Sequence, residues 1–289
     1  EARHVAAGLL ECPIPPAPIN ETDGLLVAGS ISLHIVSEVG FLSNRLHFTF
    51  FTPPTLLGVV PNFGATEGGT RVMASGIGFT DLGGGVGCSF GGVETRGEVL
   101  SATKVVCTSP AAAIGGFDTG DDADARNFVP VLVTMNGLHY NAGLSGQTTE
   151  TQMVFEYAHV PVITFISPIT GPPYFNGEAA RYLKVYGAHF RGTAGLACRF
   201  GALLTAAVFV SPSEIDCRIP ALSSATGNAP SVAVTANGVD FSRQGPPSTT
   251  FTYVASPELM GIAPVLGPST GGTPITVMGS NFDTSTAMS

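Results

Sequence analysis

The sequence is poor in charged residues and contains no tryptophan. Only 11% of its 289 residues are Asp, Glu, Lys or Arg, whereas globular proteins average about 25%. Lys and Arg together number 12 against 21 Asp and Glu, which gives a formal net charge of −9. Nucleic-acid binding requires clustered cations that displace counterions from phosphates. The composition therefore argues against nucleic acid as a partner.

A folded protein with so few charged residues needs another way to hydrate its surface or to bury it. Attached glycans supply hydration, and burial against neighbouring copies of the chain supplies cover. A surface rich in Ser, Thr and Gly is the third way to satisfy the requirement. Composition leaves all three open.

Long apolar runs and catalytic motifs are also missing. No apolar run approaches the roughly 20 residues of a membrane-spanning helix, so the sequence predicts no membrane span in this segment. The first residues do not form a signal peptide, and we therefore expect a mature or internal segment. The sequence has no Gly-x-Ser-x-Gly elbow, no His-Glu-x-x-His motif and no phosphate loop with its lysine. We predict that the chain is not an enzyme and holds no cofactor.

The abundant residues are glycine (37) and proline (22), which interrupt the chain too often for long helices. A tandem repeat accounts for their arrangement. In its first copy the pattern runs through Pro61, Gly68-Gly69-Thr70, Gly76, Phe79, Cys88-x-Phe90-Gly91 and Cys107-x-x-Pro110. In its second copy it runs through Pro168, Gly177, Gly187, Phe190, Cys198-x-Phe200-Gly201 and Cys217-x-x-Pro220. The two cysteine pairs have the same spacing of 19 positions, which rarely happens by chance.

This order of motifs resembles the IPT/TIG family of immunoglobulin-like domains, in its extracellular, cysteine-bearing form. Such domains occur in plexins, in hepatocyte-growth-factor-type receptors, in fibrocystin-like surface proteins and in Rel-type transcription factors. The resemblance covers essentially the whole chain. It implies an all-β fold of tandem immunoglobulin-like sandwiches, each of about seven strands, with a partial domain at each end.

Four segments follow from aligning the repeats. Residues 1–53 match the C-terminal part of a domain, and residues 255–289 match the N-terminal part of another. Residues 54–158 and 159–254 form complete domains, called unit 1 and unit 2 below. Asn136-Gly137 and Asn237-Gly238 each predict a two-residue hairpin turn with both backbone φ angles positive.

Four of the five cysteines fall into the two equally spaced pairs. We predict the disulfides Cys88–Cys107 and Cys198–Cys217, which imply an oxidising, extracellular location; free buried thiols are the alternative. Cys12 aligns with the second cysteine of each pair. We expect it to be free or to pair with a cysteine outside this segment.

Two further kinds of site are predicted from short motifs. Asn20-Glu21-Thr22 is an acceptor for N-glycosylation, so glycans are the expected attached groups. Asp118, Asp121, Asp122 and Asp124 crowd into seven residues of an insertion in unit 1. Their carboxylates suit calcium, although the spacing is not that of an EF-hand loop, and a solvated acidic loop explains them as well.

Each partial domain must be completed by something else, because half a sandwich leaves apolar residues and strand edges uncovered. The assembly residues that we expect to be covered are Leu33, Ile35, Phe48, Phe50, Ile262, Val265, Ile275 and Val277. Either copies of the chain complete one another head-to-tail, or adjoining repeats of a longer chain do so. The first option predicts a non-enzymatic structural subunit of an extracellular filament. The alternative, which the resemblance implies, is the ligand-binding or adhesive stalk of a cell-surface receptor.

Overall fold

Strands make up the regular structure of the chain. The computed structural model describes residues 3–17, 29–36, 40, 42–81, 83, 85–112, 127–141, 153–173, 181–222, 228–243, 245–246 and 249–282. Within these ranges lie 22 strands, which pair into two large sheets and four two-stranded ones. The predicted all-β, immunoglobulin-like fold class is confirmed.

The described part of unit 1 contains eight strands in one continuous hydrogen-bonded order, β5-β7-β10-β9-β8-β11-β12-β6. All neighbours are antiparallel except β12 and β6, which pair in parallel. The strands are β5 Thr55–Val60, β6 Phe63–Ala65, β7 Arg71–Ile77, β8 Gly87–Phe90, β9 Val93–Ser101, β10 Lys104–Thr108, β11 Asn127–Thr134 and β12 Val154–Ala158.

Unit 2 repeats this topology, with its strands in the order β13-β15-β18-β17-β16-β19. The two remaining strands, β14 and β20, pair in parallel as β6 and β12 do in unit 1. The strands are β13 Val162–Ser167, β14 Thr170–Gly171, β15 Tyr182–Ala188, β16 Ala197–Phe200, β17 Leu203–Ser211, β18 Glu214–Arg218, β19 Val232–Thr235 and β20 Thr252–Tyr253. The repeat in the sequence is thus a repeat in the structure.

Each unit has its own hydrophobic core. Along β7 the burial alternates, so that Val72 and Ala74 point inward while Arg71 and Met73 face solvent, as the period-2 pattern of a strand requires. Among the described residues, sixteen buried ones form the core of unit 1 and fourteen form that of unit 2. In each core a disulfide connects the two strands that flank the long middle strand. They are Cys88–Cys107, with Cα atoms 6.1 Å apart, and Cys198–Cys217, with Cα atoms 5.8 Å apart.

Where the structure describes the terminal segments, they form three antiparallel hairpins. In the first segment β1 (Arg3–Ala6) pairs with β2 (Leu9–Glu11), and β3 (Ser30–Leu33) pairs with β4 (Leu46–Thr49). In the last segment β21 (Glu258–Ala263) pairs with β22 (Thr276–Ser280).

Side chains at core positions of the terminal hairpins are exposed. Ile262 is 45% exposed, whereas its counterparts Val59 and Ile166 are 8% and 3% exposed. The same contrast separates Leu33, Ile35 and Phe48 at one end, and Ile275 and Val277 at the other, from their buried counterparts; Phe50 is half-buried. Full burial of one such side chain stabilises the protein by roughly 1.5–3 kcal/mol relative to leaving the side chain exposed to water. Val265 differs, because its counterparts Asn62 and Ile169 are themselves exposed in the complete units.

The Asn-Gly turns differ from the prediction. The chain does reverse at both places, with bridges between Thr134 and Tyr140 and between Thr235 and Phe241. Among the described residues, however, only the glycines of these turns have positive φ, +73° at Gly137 and +78° at Gly238. The two-residue turn is wrong because the asparagine side chain accepts hydrogen bonds from backbone N–H groups within the turn, which stabilises a longer loop.

Each unit has an aromatic pair on or directly before its last strand, and this pair closes the core. Phe155 and Tyr157 pack edge to face with ring centroids 5.2 Å apart, and Phe251 and Tyr253 do so at 5.1 Å. The Tyr157 hydroxyl donates to the carbonyl of Pro110 (3.0 Å), and the Tyr253 hydroxyl donates to that of Pro220 (2.9 Å). Burial raises the pKa of Tyr157 and of Tyr253 to about 12, since the charged phenolate is poorly solvated there.

Raising the pH from 10 to 12 is expected to destabilise both units. In the folded protein Tyr157 and Tyr253 keep their protons up to about pH 12, whereas in the unfolded chain they lose them near pH 10.0. The stability from burying the neutral ring is therefore complete below pH 10 and is lost as the pH rises toward 12, at roughly 1 kcal/mol per pH unit for each tyrosine. Urea unfolding at several alkaline pH values measures this slope. Tyr157→Phe should reduce the slope for unit 1 alone, and an unchanged slope would contradict the assignment.

Candidate functional site

Unit 1 and unit 2 meet through a loop at residues 237–240, which follows β19. Within this loop Asn237 Oδ1 accepts hydrogen bonds from the backbone N–H groups of Val239 (3.0 Å) and Asp240 (2.8 Å). Gly238 supplies the positive φ that a residue with a side chain adopts only with strain. The loop is thus held in shape by its own residues.

The Asp240 carboxylate of this loop bonds to unit 1. Its Oδ2 accepts hydrogen bonds from the Thr70 hydroxyl (2.7 Å), the backbone N–H of Ala65 (3.3 Å) and Nδ2 of Asn237 (2.8 Å). Asn237 Nδ2 also donates to the carbonyl of Phe63 at 3.0 Å. A hydrogen bond to a charged group contributes about 1.5–3 kcal/mol. One carboxylate oxygen therefore ties unit 2 to β6 and to the start of β7.

The receiving surface of unit 1 depends on a close fit between Gly64 and Thr70. Thr70 is fully buried, and its hydroxyl oxygen also accepts the N–H of Ala65 at 3.0 Å. A Cβ atom on Gly64 would overlap the Thr70 side chain. Glycine at position 64 therefore allows Thr70 to lie against β6, where its hydroxyl reaches Asp240.

Arg191 makes a second contact between the units. Its Nη2 lies 2.9 Å from Oε2 of Glu156 at the end of unit 1, and its guanidinium lies 4.7 Å from the ring centroid of Phe63. Both side chains of the ion pair are mostly buried, at 35% and 20% exposed, so solvent screens it less than a surface pair. The ion pair between Arg243 and Glu67, at 3.7 Å, is largely exposed and contributes little.

The linker between the units is short. Only residues 159–161 separate β12 from β13. The ring of His159 in this linker lies 4.9 Å from the ring of His189 in unit 2. A linker of three residues restricts the orientations that unit 2 can adopt relative to unit 1. The hydrogen bonds of the loop at residues 237–240 select one of these orientations.

Unit 1 carries a loop of the same design at residues 136–139. Asn136 Oδ1 accepts the backbone N–H groups of Leu138 (3.1 Å) and His139 (2.9 Å). His139 occupies the place of Asp240, and its Nδ1 lies 3.0 Å from Asn136 Nδ2. Burial and a hydrogen bond with Glu94 raise the pKa of Tyr140, the residue after His139, to about 12. The loop architecture is therefore common to both units, whereas the charged group belongs to unit 2.

The structure brings together some of the residues predicted from the sequence. Both expected cysteine pairs form disulfides, and Cys12 is free and exposed. The glycosylation acceptor Asn20 and the acidic residues Asp118, Asp121, Asp122 and Asp124 lie outside the described residues, so the glycan and calcium predictions stay predictions. The part of the chain that the structure describes holds no helix with the length and apolar character needed to cross a membrane.

Sequence reasoning did not find the junction. The Asn-Gly motif pointed to a turn, but not to Asp240 as a group that contacts another unit. The one available signal is the comparison of the repeats, in which a carboxylate replaces a histidine at the equivalent loop position.

The comparisons with known proteins agree with the repeat found in the structure. The family model described as IPT/TIG domain matches residues 54–157 and again residues 161–253. The chain belongs to the IPT/TIG family. The resemblance stated from the motifs is thereby confirmed.

Several relatives of this IPT/TIG chain are plexins. Mouse plexin-A2 is 26% identical over 242 residues, which make up 80% of this chain and 11% of plexin-A2. The solved full extracellular region of plexin A4 is 18% identical with a TM-score of 0.44, covering 84% of this chain and 21% of that one. SGBP-B from the Bacteroides ovatus mixed-linkage glucan utilization locus, solved in complex with mixed-linkage heptasaccharide, is 10% identical with a TM-score of 0.26, covering 83% of this chain and 57% of that one.

The chain spans about a tenth of the length of plexin-A2, being 11% of it. The two IPT/TIG units of this chain are non-enzymatic immunoglobulin-like domains. What remains to be assigned is the role of the array.

The double-mutant cycle of Thr70→Val and Asp240→Ala is expected to show a coupling of about 1–3 kcal/mol. Each change breaks the same hydrogen bond, so the second change costs less once the first has been made. Urea unfolding of residues 54–254, followed by circular dichroism, gives the free energy of unfolding of the less stable unit in all four proteins.

His139→Ala is the matched control for this cycle, because it alters the equivalent loop position in unit 1. When His139→Ala is combined with Thr70→Val, the loss in free energy of unfolding should equal the sum of the two single losses. Additive losses in the Asp240 cycle as well would mean that the carboxylate does not couple the units.

Proposed function

We propose that the chain is a segment of the extracellular stalk of a cell-surface receptor, in which tandem IPT/TIG units act as a stiff spacer. The observation that carries the proposal is the junction, where Asp240, Asn237 and Arg191 bond to a neighbouring unit that already has a complete core. These side-chain contacts fix the angle between two units that fold separately. A fixed angle suits a molecule whose function depends on its length and direction.

The compartment and the relatives support this proposal. Each complete unit has a disulfide at an equivalent position, and disulfides persist in oxidising environments such as the cell exterior. These relatives are plexins, and the solved plexin A4 structure is that of an extracellular region. In this proposal the exposed assembly residues at both ends are covered by adjoining repeats of a longer chain.

The comparisons favour adjoining repeats over head-to-tail copies of this segment. The chain matches 11% of the length of plexin-A2, and adjoining repeats of a longer chain fit that relation. Nothing in the comparisons supports the filament predicted from the sequence.

Electron microscopy and light scattering of the 289-residue chain test the stalk against the filament. With residues 54–254 as the matched truncation, we expect single particles of the truncated protein and no regular fibre of the full chain. Irregular clustering of the full chain through its exposed hairpins agrees with the stalk. Fibres with a constant axial repeat that disappear when residues 255–289 are deleted would overturn it.

A further inference from the structure

The junction loop contains a dipeptide that is chemically reactive, Asn237-Gly238. In an Asn-Gly sequence the backbone nitrogen of glycine attacks Cγ of the asparagine, because glycine has no Cβ to hinder the approach. The described residues include one other such pair, Asn136-Gly137 in the equivalent loop of unit 1. A third pair, Asn176-Gly177, lies outside the described residues.

The reaction exchanges the side-chain amide for a carboxylate. The glycine N–H gives its proton to a base, the bond from this nitrogen to Cγ forms, and the Cγ–Nδ2 bond breaks. The nitrogen leaves as ammonia with a proton taken from solvent, and a five-membered succinimide remains. Water then opens the ring to aspartate or, by addition to the other carbonyl, to isoaspartate. The sum is one asparagine and one water converted to one carboxyl group and one ammonia.

The two loops present the reacting carbon in the same way. In both, the asparagine Oδ1 accepts hydrogen bonds from the backbone N–H groups two and three positions later. These donors stabilise the negative charge that develops on Oδ1 during the attack. The glycine has a positive φ in both loops. The site of attack is therefore prepared alike in unit 1 and in unit 2.

The leaving nitrogen differs between the loops. Asn237 Nδ2 donates to the Phe63 carbonyl at 3.0 Å and to Asp240 Oδ2 at 2.8 Å, whereas Asn136 Nδ2 lies 3.0 Å from Nδ1 of the exposed His139 in its own loop. An amide nitrogen that departs must become tetrahedral and take up a proton, and hydrogen bonds to two acceptors keep it planar. Since the Phe63 carbonyl belongs to unit 1, the protection of Asn237 depends on the junction.

The attacking nitrogen of unit 2 is restrained as well. The Gly238 N–H donates to Oγ1 of Thr235 at 3.0 Å, and Thr235 is fully buried. This bond lies within unit 2 and persists when the junction opens. Opening therefore accelerates the reaction through the leaving nitrogen alone.

The product cannot make the contacts of the amide. A carboxylate has no N–H to donate to the Phe63 carbonyl, which is then left without this donor. It would also stand where Nδ2 now lies 2.8 Å from the Asp240 carboxylate, and two like charges at that separation repel each other. Isoaspartate in addition lengthens the backbone of the loop by one carbon. Either product removes hydrogen bonds that hold unit 2 against unit 1.

We propose that Asn237 is a deamidation site controlled by the junction. The closed junction protects the amide, opening of the junction exposes it to reaction, and the product prevents the junction from closing again. The inference goes beyond the proposed stalk, because it concerns the chemistry of the contact whatever purpose the array serves.

Peptide mapping of residues 54–254 by mass spectrometry, after incubation at neutral pH, measures deamidation at Asn136 and Asn237. Each rate is divided by the rate at the same site in guanidinium chloride, which removes the effect of local sequence. In the parent we expect the normalised rate at Asn237 to be about tenfold lower than at Asn136, since a hydrogen bond to a charged acceptor must open first.

Thr70→Val removes the hydroxyl that bonds to Asp240 and should raise the Asn237 rate several-fold without changing the Asn136 rate. Thr70→Ser keeps a hydroxyl and is the matched control, in which Asn237 should stay protected. Arg191→Gln loosens the junction from the side of unit 2 and replaces Thr70→Val if that variant does not fold. Equal normalised rates at the two sites in the parent, or an Asn237 rate that opening the junction leaves unchanged, overturn the proposal.

Spin labels on Ala102→Cys in unit 1 and Ser213→Cys in unit 2 measure the consequence of the modification. Asn237→Asp, which has the side chain of the aspartate product, should broaden the distance distribution, and Asn136→Asp is the control that should leave it narrow. A distribution in Asn237→Asp as narrow as in the parent overturns the proposal alone. A broad distribution in the parent overturns the proposed stiff spacer as well, which separates the two failures.

Discussion

The Asp240 carboxylate is the group on which the relation between the two complete units depends. Each unit closes its own core around a disulfide and an aromatic pair, so neither core fixes how the units are oriented. The orientation is left to a three-residue linker and to a few polar contacts, of which the bonds of Asp240 Oδ2 to Thr70 and Ala65 are central. Since an unpaired carboxylate would prefer water, the contact persists only while its donors are in place.

Preorganisation makes such a small contact effective. Asn237 holds the loop in shape through hydrogen bonds within unit 2, and Gly64 leaves room for Thr70 to lie in place within unit 1. Little conformational entropy is then lost when the two surfaces meet. The same loop frame recurs around Asn136 in unit 1, with a different residue at the contact position. Repeated domains can in this way keep one architecture while each junction acquires its own chemistry.

The sequence was sufficient for the fold class and for the placement of the repeats, because these depend on local signals. Alternation over Arg71–Ile77 marks a strand, and two cysteine pairs with the same spacing mark equivalent positions. The junction was beyond the sequence, since Thr70 and Asp240 are 170 positions apart and neither is unusual in its local context. The two-residue Asn-Gly turn was predicted wrongly because hydrogen bonds of the asparagine side chain compete with the backbone conformation that Asn-Gly usually adopts.

Residual dipolar couplings of residues 54–254 in a weakly aligning medium measure the relation between the units most directly. If the Asp240 contact holds the junction, the couplings of unit 1 and unit 2 fit one common alignment tensor. Tensors of clearly different magnitude for the two units would show that they reorient independently and would contradict a fixed junction.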